Sequence, residues 1–213
     1  PEHYLVMTVP ILFECESNAS PEHPALGLFI DIHFQSLYDI VGTLGAIGTS
    51  ELFSSEETPC GVAAAPMDEP MLSATIRLLE CMRNRLDCTI LGPSLVREIM
   101  YRAMLGQHGQ SLYALAQHNG QFSRISRVLR RIHNEFSEPL TVDELARDAA
   151  MSTSAFHRVF KQVTSESPLQ YMKKIRLNQA RNLIVLQGER ANVAAHRVGY
   201  ESPSQFSREF KRY

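Results

Sequence analysis

Six positions of the C-terminal half recur fifty residues further on, and that recurrence narrows the fold more than anything else in the chain. Ser152, Ser154, Phe156, Arg158, Phe160 and Lys161 return as Ser202, Ser204, Phe206, Arg208, Phe210 and Lys211. In each copy the two phenylalanines stand four apart, so a helix puts both on one face, to be buried. The small polar residues then lie at the helix N-terminus and the cations on the outer face. A second short helix precedes each copy, over Val142–Ala149 and Asn192–Val198, with turns at Ala150-Met151 and Gly199-Tyr200. Helix, tight turn and helix, twice, predicts two helix-turn-helix units, about 140–164 and 191–212.

Between the copies runs a predicted helix over 168–186, with Leu169, Met172, Ile175, Leu183 and Ile184 on its apolar side. Nineteen residues at helical rise span about 28 Å. Successive major-groove faces of B-DNA lie about 34 Å apart. Such a spacer suits two reading helices in adjacent grooves. Three capping sequences mark helix starts: Thr141-Val142-Asp143-Glu144, Ser167-Pro168-Leu169-Gln170 and Ser202-Pro203-Ser204-Gln205. In each, the hydroxyl can satisfy a first-turn N–H while Glu or Gln reaches back.

Charge divides the 213 residues the same way. Residues 1–120 carry 5 Lys/Arg against 14 Asp/Glu, a net −9; residues 121–213 carry 16 against 9, a net +7. A basic half beside an acidic one implies an anionic partner, nucleic acid first, although solvated helix faces produce the same count. Apolar residues at 44% and charged residues at 21% exclude a disordered or collagenous chain. No apolar run reaches the roughly 18 residues of a spanning helix, so no membrane partner is expected. The chain starts at Pro1 with no signal-peptide pattern and is read as a fragment of a longer one. Cys15, Cys60, Cys81 and Cys88 form no CxxC pair and no zinc spacing, which reads as a cytoplasmic chain with reduced thiols and no metal.

The N-terminal half reads as strands over 4–14 and 26–32, then a helix from Phe34 through Leu44. A breaker-rich linker at 54–70 follows. A long helix is expected over 71–91 with Leu72, Ile76, Leu79, Met82 and Leu86 on one face. Gly92-Pro93 should break it, and a further helix fits 94–105, stopped by Gly106 and Gly109. Cys81 and Cys88, seven apart, share a helix face and are either a thiol sensor or buried structural cysteines.

The segments LTVDELARDAAMSTSAFHRVFKQVTSESPLQYMKKIRLNQARNLI and VAAHRVGYESPSQFSREFKRY together resemble the DNA-binding domain of the AraC/XylS family of bacterial transcription regulators. The stretch DCTILGPSLVREIMYRAMLGQHGQSLYAL resembles the region before that domain in the branch with a cupin-like regulatory domain. The resemblance implies a mainly α fold, with a tandem helix-turn-helix domain over 121–213 preceded by an α+β remnant of a cupin-like regulatory domain over 1–110. Most of that barrel is expected before Pro1. Two departures stand out. The first turn has Ala150 where the family usually has Gly, which is tolerable if the turn does not need positive φ. The chain also stops at Tyr213 without the usual closing segment.

Carried over by motif position, base contacts fall to Ser154, His157 and Arg158 in the first unit and to Ser204, Gln205 and Arg208 in the second. Arg matches guanine O6 and N7, and Gln matches adenine. Gln205 has a rival task as the capping partner of Ser202, His157 is either a contact or a solvated residue, and the serines either bond or only permit close approach. Phosphate candidates are Thr153, Lys161, Lys173, Lys174, Arg176 and Lys211, with Ser165 as a further hydroxyl; any one lysine also reads as a solvated cation. The implied activity is sequence-specific transcription regulation, as an activator responding to a small effector, with promoter DNA and RNA polymerase as partners. Dimerisation through the 71–105 helices is a further expectation. No cofactor and no catalytic residue is expected. The alternative is a cupin-like metal enzyme with a helical appendage. A DNA-repair alkyl acceptor would need an activated thiolate, and no Cys lies in the basic half.

Overall fold

The computed structural model describes residues 2–12, 19–49, 53, 58–117 and 120–213. Cys15 lies outside them. The chain divides into two compact units: Pro1–Thr8 with Phe13–His118, and Val9–Leu12 with Asn119–Tyr213.

The first unit has one two-stranded antiparallel sheet among its described residues. Strand β1 (His3–Met7) pairs with β2 (Val62–Pro66), from His3 opposite Pro66 to Met7 opposite Val62. This corrects the sequence reading three times. The strand expected over 4–14 ends at Met7, and Val9–Leu12 belongs to the other unit. Residues 26–32 form no strand, and Leu26 and Phe29 stand out in solvent. The 54–70 segment, read as linker, supplies β2. Strand formation depends on a partner for the backbone more than on local propensity: the Ala-rich 62–66 segment has one and the apolar 26–32 segment does not.

Helix α1 (Phe34–Ala46) buries Leu37, Ile40 and Leu44. Helix α2 (Glu69–Cys81) starts at Asp68, whose carboxylate accepts from the Met71 N–H at 2.8 Å. It ends ten residues before the expected break. After Met82–Asn84, the Asn84 side chain accepts from the Leu86 N–H at 2.8 Å and opens α3 (Arg85–Leu105). Gly92-Pro93 therefore lies inside a helix. Pro93 leaves one backbone carbonyl, that of Thr89, without its N–H. Thr89 and Pro93 are both exposed, so water can serve that carbonyl.

Met71, Ala74, Leu78 and Ile99 form the core between α2 and α3, with Tyr4, Ile30, Leu95 and Val96 packed against it. The stripe expected on one helix is divided between two: Ile76 and Leu79 lie on α2, Met82 caps it and Leu86 lies on α3, and all four are exposed. Cys81 is buried at the end of α2, where burial, followed by Cys88 and Asp87, pushes its thiol pKa up. That disfavours the reactive thiolate. Helix α4 (Gly109–Ala116) starts at the second glycine that was expected only to stop a helix.

Beyond Val9–Leu12, the described residues of the second unit form helices joined by short turns. It holds α5 (Gln121–Asn134), α6 (Val142–Asp148), α7 (Thr153–Thr164), α8 (Pro168–Gln187), α9 (Ala191–Arg197) and α10 (Pro203–Phe210). Each lies within two residues of the sequence reading where one was made. Helix α5 buries Phe122, Ile125, Val128, Leu129 and Ile132. Its Arg131 pairs with Glu135 at 2.8 Å and with Asp148 of α6. The extended Val9–Leu12 segment joins this unit: the Tyr171 hydroxyl donates to the Pro10 carbonyl, and His133 Nε2 lies 3.1 Å from that carbonyl and 2.7 Å from the hydroxyl.

Candidate nucleic-acid interface

The first helix-turn-helix is α6–α7. Its start is a closed capping box: Thr141 N–H donates to Glu144 Oε2 at 2.9 Å, and Glu144 N–H donates to Thr141 Oγ1 at 3.3 Å. Those bonds from the Thr141 backbone and hydroxyl hold the Glu144 carboxyl below the usual range. Ser152 caps α7 by accepting from Ala155 N–H. Phe156, Val159, Phe160 and Val163 are buried with Leu145, Ala146 and Ala149. The Phe156 and Phe160 rings lie 5.4 Å apart, and Phe160 meets Tyr171 of α8 edge-on at 5.5 Å. The turn between the helices places Ala150 at φ +50°. The turn does take a positive φ, so the condition for a cost-free alanine is not met and Ala150 occupies a conformation that favours glycine.

The second unit, α9–α10, repeats the plan. Ser202 caps α10 by accepting from Gln205 N–H. Phe206 packs edge-on against Tyr200 at 5.3 Å and stacks on Phe210 at 5.0 Å. Ala194, Ala195 and Val198 complete the core with Leu177 and Ala180 of α8. Here Gly199 supplies the positive φ, at +83°. Two residues separate it from the Ser202 cap, whereas only Met151 separates Ala150 from Ser152. The second turn is thus one residue longer.

The inward-facing phenylalanines leave the opposite faces to solvent. Ser154, His157 and Arg158 are exposed on α7, and Ser204, Gln205 and Arg208 on α10. Lys161 and Lys211 are exposed near the ends of the same two helices, and Ser165 is exposed at the left-handed residue closing α7. Thr153 Oγ1 donates to Asp143 Oδ1 at 2.9 Å and so ties α7 to α6. Lys174 pairs with Glu166. Arg176 is engaged within the fold: its Nε donates to the Phe136 carbonyl at 2.7 Å, Nη2 to the Glu138 carbonyl at 2.7 Å and Nη1 to the Gly199 carbonyl at 3.4 Å. A guanidinium spread over three carbonyls holds α8 to two loops and spends three of its five donors there.

Gln205 does not close the expected capping box. Its amide Nε2 donates instead to Glu209 Oε1 at 3.3 Å. Glu209 Oε1 also meets Lys173 Nζ at 3.0 Å, and Glu209 Oε2 accepts from the Tyr200 hydroxyl at 2.8 Å. Burial pushes this carboxyl up, but the bonds from Lys173, Tyr200 and Gln205 outweigh it and leave the pKa below the usual range. Burial and then Glu209 push the Tyr200 phenol the other way, upward. Glu209 escaped the sequence reading. The signal was in the repeat: its counterpart is Val159, and it stands as a carboxylate amid the cations of α10.

Residues 1–111 match the family described as the AraC-type transcriptional regulator N-terminus, more than half of the chain. The chain belongs to the AraC-type transcriptional regulators. Residues 145–213 match a helix-turn-helix domain family. AlkR of Acinetobacter baylyi, an HTH-type transcriptional regulator, is 36% identical over 88 residues, 41% of this chain and 29% of AlkR. The transcriptional activator RhaS of Klebsiella pneumoniae is 28% identical over 116 residues, 54% of this chain and 41% of RhaS. The regulator ArgR of Pseudomonas aeruginosa is 24% identical over 166 residues, 68% of this chain and 50% of ArgR. The matches to AlkR and RhaS thus span less than half of either relative. A solved structure of the AdpA DNA-binding domain in complex with a target DNA is similar at 29% identity, with a TM-score of 0.41, over 42% of this chain and 80% of that one. The named relatives are transcriptional regulators or activators.

Proposed function

We propose that this chain regulates transcription by binding double-stranded DNA at specific sequences through α7 and α10. The observation that carries this reading is the pair of matching exposed faces, Ser154, His157 and Arg158 on one helix and Ser204, Gln205 and Arg208 on the other, each backed by buried phenylalanines. Arg158 and Arg208 suit guanine in the major groove. Lys161 and Lys211 contact phosphate, with Thr153, Lys173 and Lys174 as further contacts once their present carboxylate partners give way.

The mode is activation in response to a small effector bound by the regulatory unit, in the cytoplasm, with RNA polymerase as partner. RhaS, named an activator, supports that mode. The exposed apolar side chains Ile76 and Leu79 of α2, Met82 at its end and Leu86 of α3 support a homodimer through the first unit. Among the described residues no helix is long and apolar enough to cross a membrane.

The test is selection of bound duplexes from a random pool, followed by affinity measurement across salt. Affinity should fall linearly with salt on logarithmic axes. Arg158→Ala and Arg208→Ala should each lose about 1–3 kcal/mol of discrimination at one base pair. Unchanged sequence preference in both variants would defeat the assignment of these helices.

A further inference from the structure

The two reading helices differ at one position with chemical consequences. Val159 of α7 is fully buried. Its counterpart, Glu209 of α10, gathers Gln205, Lys173 and Tyr200 around one carboxylate. A carboxylate on a DNA-facing helix repels phosphate unless neutralised, and Lys173 of α8 supplies that neutralisation at 3.0 Å. Tyr200, 8% exposed and packed against Phe206, fixes the other carboxylate oxygen. Glu209 is therefore anchored from two sides before it meets Gln205.

An ionised carboxylate only accepts hydrogen bonds. The Gln205 amide must then turn its nitrogen, not its oxygen, toward Glu209, which is the arrangement seen. Oε1 is left turned away as an acceptor, and one Nε2 proton remains for another partner. Adenine offers an N6 donor and an N7 acceptor in the major groove; guanine offers only acceptors there, at N7 and O6. A glutamine whose amide can flip tolerates guanine through its nitrogen. One whose nitrogen is held keeps a single N–H for the base and sets its oxygen against guanine O6, so it pairs with adenine at two atoms and with guanine at one.

We propose that Glu209 is a positioning residue that fixes the orientation of the Gln205 amide and thereby makes α10 select adenine over guanine at one operator position. This rests on the DNA-binding reading of α10. Lys173 is thereby a structural counter-ion of Glu209 first and a phosphate contact second.

The full 213-residue chain is used to select duplexes from a random pool, alongside Gln205→Ala, Glu209→Gln and Glu209→Val. Gln205→Ala identifies the position, as the one whose preference disappears. Affinities are then measured on duplexes differing only there. The wild type should favour adenine over guanine by about tenfold, within the range of a good side-chain–base pair. Glu209→Gln, nearly isosteric but able to both donate and accept, should bring that ratio within about twofold and leave preferences at other positions in place. Glu209→Val, the residue of the first repeat, should relax the same position. An adenine-to-guanine ratio unchanged in Glu209→Gln overturns the proposal. So does a Glu209→Gln protein that loses preference at every position together, because that signals a structural role. A wild type with no sequence preference anywhere defeats the DNA-binding reading itself and is recognisable before any variant is measured.

Discussion

Replacing Gly199 by alanine should destabilise the second helix-turn-helix, while replacing Ala150 by glycine should stabilise the first. Both residues turn the chain at positive φ, Gly199 at +83° and Ala150 at +50°. A side chain in this region costs about 1–2 kcal/mol. A Cβ on Gly199 would also sit 2.3 Å from the Ser137 carbonyl oxygen and 3.0 Å from its carbon. Those are backbone atoms, which cannot swing aside as a flexible side chain does, and forced overpacking adds about 1–3 kcal/mol. The smaller entropy of an unfolded alanine returns about 0.4–1 kcal/mol. The net loss is about 2–4 kcal/mol, or roughly 10–25 °C in melting temperature for a unit of this size. For Ala150→Gly the same terms change sign without the clash, which leaves a gain of about 0.5–1 kcal/mol. Thermal unfolding followed by circular dichroism measures both, and hydrogen exchange in α9 and α10 localises the first. A Gly199→Ala protein melting within about 2 °C of the wild type would refute the steric argument. An Ala150→Gly protein that melts lower would show that φ +50° carries no strain here.

Two further outcomes test single side chains. Arg176→Ala should destabilise the second unit by about 1–3 kcal/mol, because three carbonyls lose a charged donor, while the slope of log affinity against log salt stays the same; a slope shallower by about one unit would instead make Arg176 a phosphate contact. Burial, partly offset by the Pro10 carbonyl, lowers the His133 pKa, so its contribution to stability is complete above the unfolded value of about 6.5 and is lost as pH falls through the folded value beneath it. Urea midpoints measured from pH 8 to 5 should fall below about pH 6.5, and His133→Phe should flatten that fall; an identical pH slope in the variant would exclude His133 as its source.

The basic half was legible because its signals are local and repeated. Capping hydroxyls at Thr141, Ser152, Ser167 and Ser202 act within three residues of themselves, and i, i+4 phenylalanines define an inward face without reference to the rest of the chain. The acidic half was misread where structure depends on distant partners. Ala63–Ala65 become a strand only because Tyr4–Val6 lie opposite, and the hairpin turns at Met82–Asn84 because Asn84 captures an N–H, not because Gly92-Pro93 interrupts the helix.

The same division runs through the site. Position in the repeat located exposed residues on α7 and α10, the ones proposed to read bases, but not what holds them. Arg176 looked like one more cation until its three carbonyl partners appeared, and Gln205 looked like a cap until Glu209 claimed its amide. The Arg176 bonds run from α8 to segments distant in sequence, and the Glu209 that meets Gln205 is itself held by Lys173 of α8 and Tyr200 of the turn. Lys173 of α8, Tyr200 of the turn and Glu209 of α10 are 9 to 36 residues apart in sequence, yet they meet at one carboxylate. In the first helix-turn-helix the equivalent position, Val159, is buried and apolar and offers no hydrogen bond to the exposed face of α7. The two copies therefore share a shape but not a means of orienting their side chains, and the difference between Val159 and Glu209 gives each copy room to read a different sequence.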